Sequence, residues 1–396
     1  MRIVALHTDF RIYWPARLKA LKDFLYSKGH TLDIIEIAGK GSHYEFAEKE
    51  DSSSLPWHIL FPESRPEDLS GSRIKPLLFK KLNAIRPDVI IAGAIAFPSG
   101  ALAVAWGQKN KARVIIFDDA KTEAVRRNGL TNFIKRAVYQ GVDAMLYPAP
   151  DWIPTGQFWG FSEEQLFYGV DVVDNAFWEK KRDNCPIDGD FMVAVGRQIP
   201  KKGFITLLQA YSLYLKTTKA TAYKLVLIGD GPEHQALVDY IQENKLDKHV
   251  QRIPFLSQEE LAEIYQRAKC LICSSNNQET WGLVINEAMA CGCPIIASNE
   301  CGATHTLVQD GINGFRFSYG DIKELSDKIA ALHQLDTKSH LAMCQASKII
   351  IADWGLERFC QGCYDAILYA TNHKKRKASL LQRTIISIWK GRYRPV

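Results

Sequence analysis

Short apolar segments of strand length alternate with amphipathic segments of helix length through both halves of the chain. The first half predicts strands over residues 3–8, 31–37, 89–93 and 113–117, with helices over 15–29, 74–85 and 101–108. The second half predicts strands over 191–195, 225–228, 250–253 and 270–273, with helices over 204–215, 233–243 and 259–267. Such alternation is typical of parallel sheets covered by helices on both faces. The sequence therefore predicts an α/β protein with two doubly wound, Rossmann-like domains and a ligand in a central cleft, at the carboxyl ends of the strands.

Length and composition agree with two globular domains. The chain has 396 residues, more than one ordinary core holds, and its 46% hydrophobic and 24% charged residues are usual for a globular protein. We expect the domain boundary near residues 167–175 and an irregular surface excursion over residues 43–70. No apolar run approaches the ~18 residues of a membrane span. The first residues predict a strand rather than an export signal, and nine cysteines, an odd number, favour a reducing cytoplasm.

Residues 277–298 carry two carboxylates eight positions apart, at the start of a predicted helix. Glu279 lies in the loop before this helix and Glu287 about one turn inside it, and a short buried strand over 294–298 follows. A helix N-terminus presents free backbone N–H groups and a partial positive charge, which suit a diphosphate. This arrangement predicts a binding site for a ligand the size of a nucleotide-sugar.

Three earlier segments carry related signals. Residues 195–203 place Arg197 and Lys202 beside glycines after a predicted strand, residues 225–232 form a strand followed by Gly-Asp-Gly-Pro, and residues 167–171 read Phe-Tyr-Gly-Val-Asp. Together with residues 277–298 these segments resemble, in order, the motifs of the family 4 retaining glycosyltransferases of the bacterial cell-surface glycan type, which have the GT-B fold. The resemblance covers about a third of the chain.

The resemblance implies a retaining, metal-independent hexosyltransferase without a cofactor. Its donor would be a nucleotide-sugar, such as a UDP- or GDP-sugar, and its acceptor a hydroxyl of a glycan or lipid-linked molecule in polysaccharide biosynthesis. Residues 1–168 would bind the acceptor and residues 169–371 the donor. A last helix at about 372–396 would return to the first domain.

The same resemblance assigns roles to individual residues. Glu279 would be a catalytic carboxylate that binds the sugar hydroxyls of the donor, and Glu287 would bind the nucleotide ribose. Arginine suits bidentate contact with phosphate and lysine acts as a point charge, so both cations of the 195–203 segment are expected to contact the diphosphate. The donor-binding set is completed by the turn at Gly229 and the backbone amides of Trp281, Gly282 and Leu283.

The first half departs from the family pattern at two positions. Where the family has a Gly-rich loop after its first strand, this chain has Arg11, a possible substitute for the backbone contacts to phosphate. Where the family has a histidine after a later strand, this chain has Asp118 followed by Asp119. Asp118 is a second catalytic candidate through a hydrogen bond to a sugar hydroxyl, and its alternative role is to cap the next helix. The Asp118–Asp119 pair is also the nearest candidate for metal ligands.

The sequence leaves several alternative functions and sites open. The fold also suits a sugar-nucleotide epimerase, or a non-catalytic nucleotide-sugar-binding protein that lacks the Gly-rich loop and the histidine. Two Cys-x-x-Cys pairs, at 270–273 and 360–363, resemble zinc half-sites, although packing in a buried strand and on a helix explains them better. No nucleic-acid-binding pattern is present.

Two segments predict contact with an anionic membrane surface at its inner face. Residues 129–139 and 380–390 both have apolar side chains at helical spacing with basic residues beside them. The predicted apolar faces are Leu130, Phe133, Ile134 and Ala137 in the first segment, and Leu381, Ile385, Ile388 and Trp389 in the second. The basic tail runs from Lys374 to Arg394 without an acidic residue. The alternative is that each apolar face packs on the protein core.

Overall fold

The computed structural model describes residues 1–40, 55–125, 127–218 and 222–392. The chain divides into two compact units, of which the second is Val173–Gly355. The first unit consists of Met1–Val172 and the described chain from Leu356 onwards. Ser52, Ser53 and Ser54 of the predicted excursion, and Arg394 of the basic tail, lie outside the described residues.

The helices and strands follow one another in regular alternation. The first part of the first unit contains β1 (Arg2–His7), α1 (Trp14–Ser27), β2 (Thr31–Ala38), β3 (Trp57–Phe61), α2 (Gly71–Ile85), β4 (Val89–Ala92), α3 (Pro98–Asn110), β5 (Arg113–Phe117), α4 (Gly129–Tyr139), β6 (Ala144–Tyr147), α5 (Ile153–Phe158) and β7 (Leu166–Tyr168). The second unit contains α6 (Asn175–Glu179), β8 (Phe191–Val195), α7 (Phe204–Thr218), β9 (Lys224–Ile228), α8 (His234–Glu243), β10 (Val250–Ile253), α9 (Gln258–Arg267), β11 (Leu271–Cys273), α10 (Leu283–Ala290), β12 (Ile295–Ser298), α11 (Thr304–Leu307), β13 (Gly314–Phe317), α12 (Ile322–His333) and α13 (Thr337–Ala352). The chain then returns to the first unit with α14 (Leu356–Asn372) and α15 (Leu380–Ile388).

Each unit holds one parallel sheet. The seven strands of the first sheet have the order β3-β2-β1-β4-β5-β6-β7, and the six strands of the second have the order β10-β9-β8-β11-β12-β13. All recorded pairings in both sheets are parallel. The strand order reverses direction between β1 and β4 in the first sheet and between β8 and β11 in the second. Ligands of such sheets bind in the crevice at the carboxyl ends of the strands, at the switch point. The predicted doubly wound fold is confirmed in both units.

The prediction of an irregular excursion over residues 43–70 is wrong in part. Residues Trp57–Phe61 form β3, which pairs in parallel with β2, and all five of its residues are half-buried. Because these side chains are all buried to a similar, partial extent, the segment shows neither the alternation nor the continuous apolar run that marks a strand in sequence. The sequence also gave no indication of β6, β7 and β13, which have only three or four residues each.

The return to the first unit comes at Leu356, earlier than the predicted return at about residue 372. Helix α14 buries Phe359, Cys363 and Ile367 in the core of the first sheet, against residues of β1 and α1. Burial of these side chains assigns the whole helix to the first unit. Val172, beyond the predicted limit of 168, belongs to the same core.

The cysteines of the two Cys-x-x-Cys pairs are buried packing residues. Cys270 directly precedes β11 and Cys273 is its last residue, and both are buried. Cys360 and Cys363 lie on the buried face of α14. The packing interpretation of these pairs is confirmed. Within the described ranges, no helix is both long enough and apolar enough to cross a bilayer.

Candidate functional site

Most predicted site residues lie in the second unit, at the carboxyl edge of its sheet. The loop after β8 contains Arg197 and Lys202, and the loop after β11 contains Glu279. Strands β8 and β11 are neighbours at the switch point, although β9 and β10 lie between them in the chain. Their loops therefore meet, and residues far apart in sequence come into contact.

The central contact of the site is an ion pair between Lys202 and Glu279. The Lys202 Nζ lies 2.7 Å from Glu279 Oε2, and Lys201 Nζ lies 3.7 Å from the same oxygen. Both side chains of the closer pair are 13% exposed. Burial alone would raise the pKa of Glu279, but the two lysines outweigh burial and hold this pKa below its ordinary value. The carboxylate is therefore ionised and paired with Lys202.

Hydrogen bonds to the backbone carbonyls of the two lysines fix the two loops to each other. The Ser274 hydroxyl donates to the Lys202 carbonyl at 2.8 Å, and the Asn276 amide donates to the Lys201 carbonyl at 2.9 Å. Gly203 ends the first loop in the left-handed region at φ +65°, where an added Cβ would overlap the Ser274 carbonyl oxygen. Only glycine allows this approach, so the position of the lysines depends on it. Sequence reasoning gave Lys201 no role.

A second close approach joins the loops after β8 and β9. Gly229 has φ +127°, and a Cβ there would overlap the carbonyl oxygen of Gly196. The buried side chain of Gln198 donates to the Gly229 carbonyl at 2.7 Å and lies 3.1 Å from the His234 Nδ1. The predicted turn is therefore a tightly packed pair of loops. Sequence reasoning missed Gln198, since a glutamine beside Arg197 carries no signal for this contact.

Helix α10 begins at the predicted place. Its N-cap, Gly282, is left-handed at φ +99°, and Leu283 is its first residue. Trp281 is buried and its Nε1 donates to Asn286 Oδ1 at 2.8 Å, so the indole fixes the approach of the loop to the helix. The amides predicted to face phosphate thus belong to a rigid helix start.

Glu287 lies on the first turns of α10 and is only 3% exposed. Its Oε2 accepts a hydrogen bond of 3.0 Å from the hydroxyl of Tyr265 on α9. A buried carboxylate oriented by a tyrosine is suited to accept hydrogen bonds from a pair of hydroxyl groups. The sequence predicted Glu287 but gave no signal for Tyr265.

The two candidates of the first half lie in the first unit. Arg11 follows β1, and its guanidinium is held by Asp9 at 3.0 Å and by the Gly39 carbonyl at 2.6 Å. Burial raises the pKa of Asp9 to about 6 even though Arg11 opposes the shift. The carboxylate and carbonyl partners already occupy part of this guanidinium, which weakens its case as a phosphate contact.

Asp118 follows β5, and its Oδ1 accepts a hydrogen bond of 3.0 Å from the Ala120 amide. Burial raises the pKa of Asp118 to about 6, and Lys135 opposes the shift. The alternative role of Asp118 as a helix cap is wrong, because the next helix is α4 and its cap is Asn128, which accepts from the Thr131 amide at 2.8 Å. Asp118 therefore ends a strand and begins the loop that leads to α4. Across the described residues, no group of three or more histidine, cysteine or acidic side chains is placed to hold a metal.

Comparison with known proteins finds similarity to glycosyltransferases, and the family match lies within the second unit. The family described as "Glycosyl transferases group 1" matches residues 177–348. An uncharacterized glycosyltransferase of Haemophilus influenzae is 26% identical over 181 residues, which are 46% of this chain and 50% of that protein. A D-inositol 3-phosphate glycosyltransferase of Frankia alni is 32% identical over 164 residues, or 39% of this chain and 40% of that protein. The chain thus spans half or less of the length of these two relatives.

Solved structures extend the likeness to almost the whole chain. Anabaena HepE in complex with UDP has a TM-score of 0.72 at 16% identity, over 93% of this chain and 100% of that one. Sucrose-phosphate synthase of Thermosynechococcus elongatus has a TM-score of 0.72 at 18% identity, over 94% and 100%. At these identities the likeness concerns the fold, and the predicted GT-B fold is confirmed. The resemblance drawn from the motifs is confirmed for residues 177–348, where the group 1 glycosyltransferase family matches.

Proposed function

We propose that this chain, whose residues 177–348 match the group 1 glycosyltransferase family, moves a sugar from a nucleotide-sugar to an acceptor hydroxyl with retention of configuration. The observation that carries the proposal is the buried contact of Lys202 with Glu279 at the switch point of the second sheet. It brings a cation for the leaving diphosphate next to a carboxylate for the sugar hydroxyls.

In the proposed complex the donor lies along the carboxyl edge of the second sheet. Glu287 accepts from the ribose hydroxyls, while the backbone of the packed loops at Gly229 and Gly196 approaches the nucleotide. Arg197 and Lys202 contact the diphosphate together with the amides at the start of α10. HepE was solved with UDP, and with UDP and glucose, which favours UDP as the nucleotide here.

The proposed chemistry needs fixed positive charge where the leaving diphosphate develops its own negative charge. Arg197, Lys202 and the helix N-terminus supply that charge from the protein, so we propose a metal-independent reaction. The acceptor hydroxyl would attack from the face that the diphosphate leaves, which requires no protein nucleophile. Glu279 would strengthen its hydrogen bonds to the sugar as positive charge develops on the ring.

The acceptor is proposed to bind to the first unit. Asp118 is its candidate contact, since a strand-end carboxylate accepts hydrogen bonds from sugar hydroxyls, and a glycan or lipid-linked acceptor at the cytoplasmic face of a membrane fits the resemblance. A non-catalytic nucleotide-sugar-binding protein is the second candidate, because Arg11 is partly occupied and no histidine follows β5. The two candidates differ in turnover and agree in donor binding.

A thermal-shift panel of UDP-, GDP-, ADP- and dTDP-sugars tests donor binding first. A ligand at a hundred times its dissociation constant stabilises the folded state by about 2.7 kcal/mol, which a melting curve resolves. Arg197→Ala should weaken the best donor by roughly ten- to a hundredfold. Lys224→Ala, a surface change at the amino end of β9, is the matched control and should leave binding unchanged. No shift with any sugar would overturn the proposed donor site.

Slow hydrolysis of the bound donor then separates the two candidates. Glu279→Gln should lower kcat more than it weakens binding, because the contact strengthens in the transition state. The anomeric configuration of the released sugar, followed by NMR, tests retention, and EDTA should leave the rate unchanged. If the wild-type protein binds the donor but neither hydrolyses it nor transfers its sugar, the second candidate, a non-catalytic nucleotide-sugar-binding protein, is correct.

A further inference from the structure

A groove with a volume of about 750 Å³ opens in the first unit between α2, α3 and the segment that joins α14 to α15. Seven of its twelve lining residues are lysine or arginine, and none of the described residues that line it is acidic. Lys75 comes from α2, Lys109 and Lys111 from the end of α3, and Arg383 from α15. Cations crowded in this way repel one another, so a bound anion would stabilise them.

The segment before α15 is held in place by its own basic side chains. The Lys375 Nζ donates to the Gly107 carbonyl at 3.0 Å, and the Arg376 guanidinium donates to the Gly160 carbonyl at 2.8 Å. Their neighbour Lys377 lines the groove and is exposed. These hydrogen bonds hold the segment against the first unit, so the groove is a fixed part of that unit.

The other side of α15 is apolar and exposed. Leu381 and Ile388 are 60% and 68% exposed, while Ile386 on the opposite face is 1% exposed and holds the helix on the unit. Trp389, which the sequence assigns to the outer face, is half-buried instead, and its Nε1 donates to the Ile95 carbonyl. The alternative that the tail packs its apolar face on the core is wrong for Leu381 and Ile388.

Helix α4 packs beside α15 and extends this apolar surface. Leu130 and Phe133 of α4 are 68% and 52% exposed, and the exposed Arg136 follows them. Ala137 of the predicted outer face is buried, so only the first half of the helix is free. Two neighbouring helices thus present aliphatic and aromatic side chains beside a cationic groove.

We propose that this surface docks on an anionic phospholipid bilayer, with lipid phosphates in the groove and the exposed side chains of α4 and α15 in the interface. The cations of the groove would attract the anionic headgroups, and Leu381 and Ile388 would enter the boundary between the headgroups and the acyl chains. A nucleic acid would match the cations but leave the exposed leucine and isoleucine side chains unexplained. The proposal concerns the first unit and does not depend on the donor chemistry.

Co-sedimentation with lipid vesicles tests the proposal on the whole chain. Vesicles of phosphatidylcholine with an equal part of phosphatidylglycerol should bind the protein at low salt, and vesicles of phosphatidylcholine alone should bind it far less. Each cation near an anionic surface changes the partition by about fivefold. The Lys109→Ala, Lys377→Ala double variant should therefore lose about twenty-fivefold in binding, and salt should weaken the wild type.

The matched control is Lys248→Ala with Lys338→Ala, which removes two exposed lysines from the second unit. It should bind vesicles like the wild type. Leu381→Ser with Ile388→Ser should lower vesicle binding and leave the melting temperature unchanged, because both side chains are already in solvent.

Equal binding to neutral vesicles, or no binding at low salt, would overturn the proposal. Binding of single-stranded RNA that falls in the lysine variant but not in the Leu381→Ser, Ile388→Ser variant would assign the groove to nucleic acid instead. The donor thermal shift, measured on the same variants, should stay at the wild-type value. A loss of vesicle binding and a loss of the donor site are thus separate results.

Discussion

Lys202→Met tests the central contact of the candidate site, because methionine keeps most of the volume of the lysine stem and removes its charge. The Lys202 Nζ lies 2.7 Å from Glu279, and each side chain is only 13% exposed. Removing one partner of a buried pair leaves the other charge without compensation and costs about 3–5 kcal/mol. Lys201 remains at 3.7 Å from the carboxylate, so we expect the lower end, about 3 kcal/mol.

Urea denaturation followed by tryptophan fluorescence measures this loss. A cycle with Glu279→Gln and the double variant isolates the pair, and we expect a coupling energy of about 2 kcal/mol. Lys323→Met is the matched control, since Lys323 pairs with Asp327 on the surface of α12 with its side chain 74% exposed. Such an exposed pair contributes roughly 0–1 kcal/mol.

The pH dependence gives an independent reading of the same contact. The lysines hold the pKa of Glu279 below its ordinary value, so the carboxylate stabilises the folded state above about pH 4.5 and loses this effect as the pH falls through its folded pKa. The gap between wild type and Lys202→Met should therefore close in acid. A gap that stays constant, or a coupling energy near zero, would show that the loss comes from packing and would refute the electrostatic argument.

Two further predictions concern single positions. Gly229→Ala should lower the stability of the second unit, measured by thermal denaturation, because its φ of +127° is strained for alanine and the new Cβ would overlap the Gly196 carbonyl. Gly189→Ala is the control, because this glycine has φ +79° but open space around it, so only the backbone strain applies. Burial raises the pKa of Asp118 to about 6, so the folded state disfavours the ionised carboxylate and the unfolding free energy should fall as the pH rises from about 4 to about 6. Asp118→Asn removes this titration and should make the fall smaller. An unchanged pH profile in this variant would mean that Asp118 is well solvated.

The sequence predicted most of the fold because its elements have strong periods. Helix α2 and strand β5 have the continuous or periodic apolar pattern that decides their type, and the structure places both as expected. Strands β6, β7 and β13 have too few residues to show any period. Their existence follows from neighbours that complete the sheet, which is information outside the local sequence.

The site was predictable as a set of residues and not as a set of contacts. Glu287 and the start of α10 follow from local patterns alone, and both occupy the predicted places. The contact of Lys202 with Glu279 depends on β8 and β11 being neighbours, and the order of strands in a sheet cannot be read from chain order. Tyr265 was missed for the same reason, since its helix lies elsewhere in the chain.

The late return of the chain to the first unit has a consequence for its synthesis. Phe359, Cys363 and Ile367 of α14 complete the first core, but the ribosome adds them only after it has made all of Val173–Gly355. The second unit is continuous and can fold as soon as it emerges, so the unit that begins first is finished last. At about 5–20 residues per second the wait is on the order of 10–40 s. For that time α1 covers this core without α14, and the apolar residues that α14 will bury stay exposed in the nascent chain.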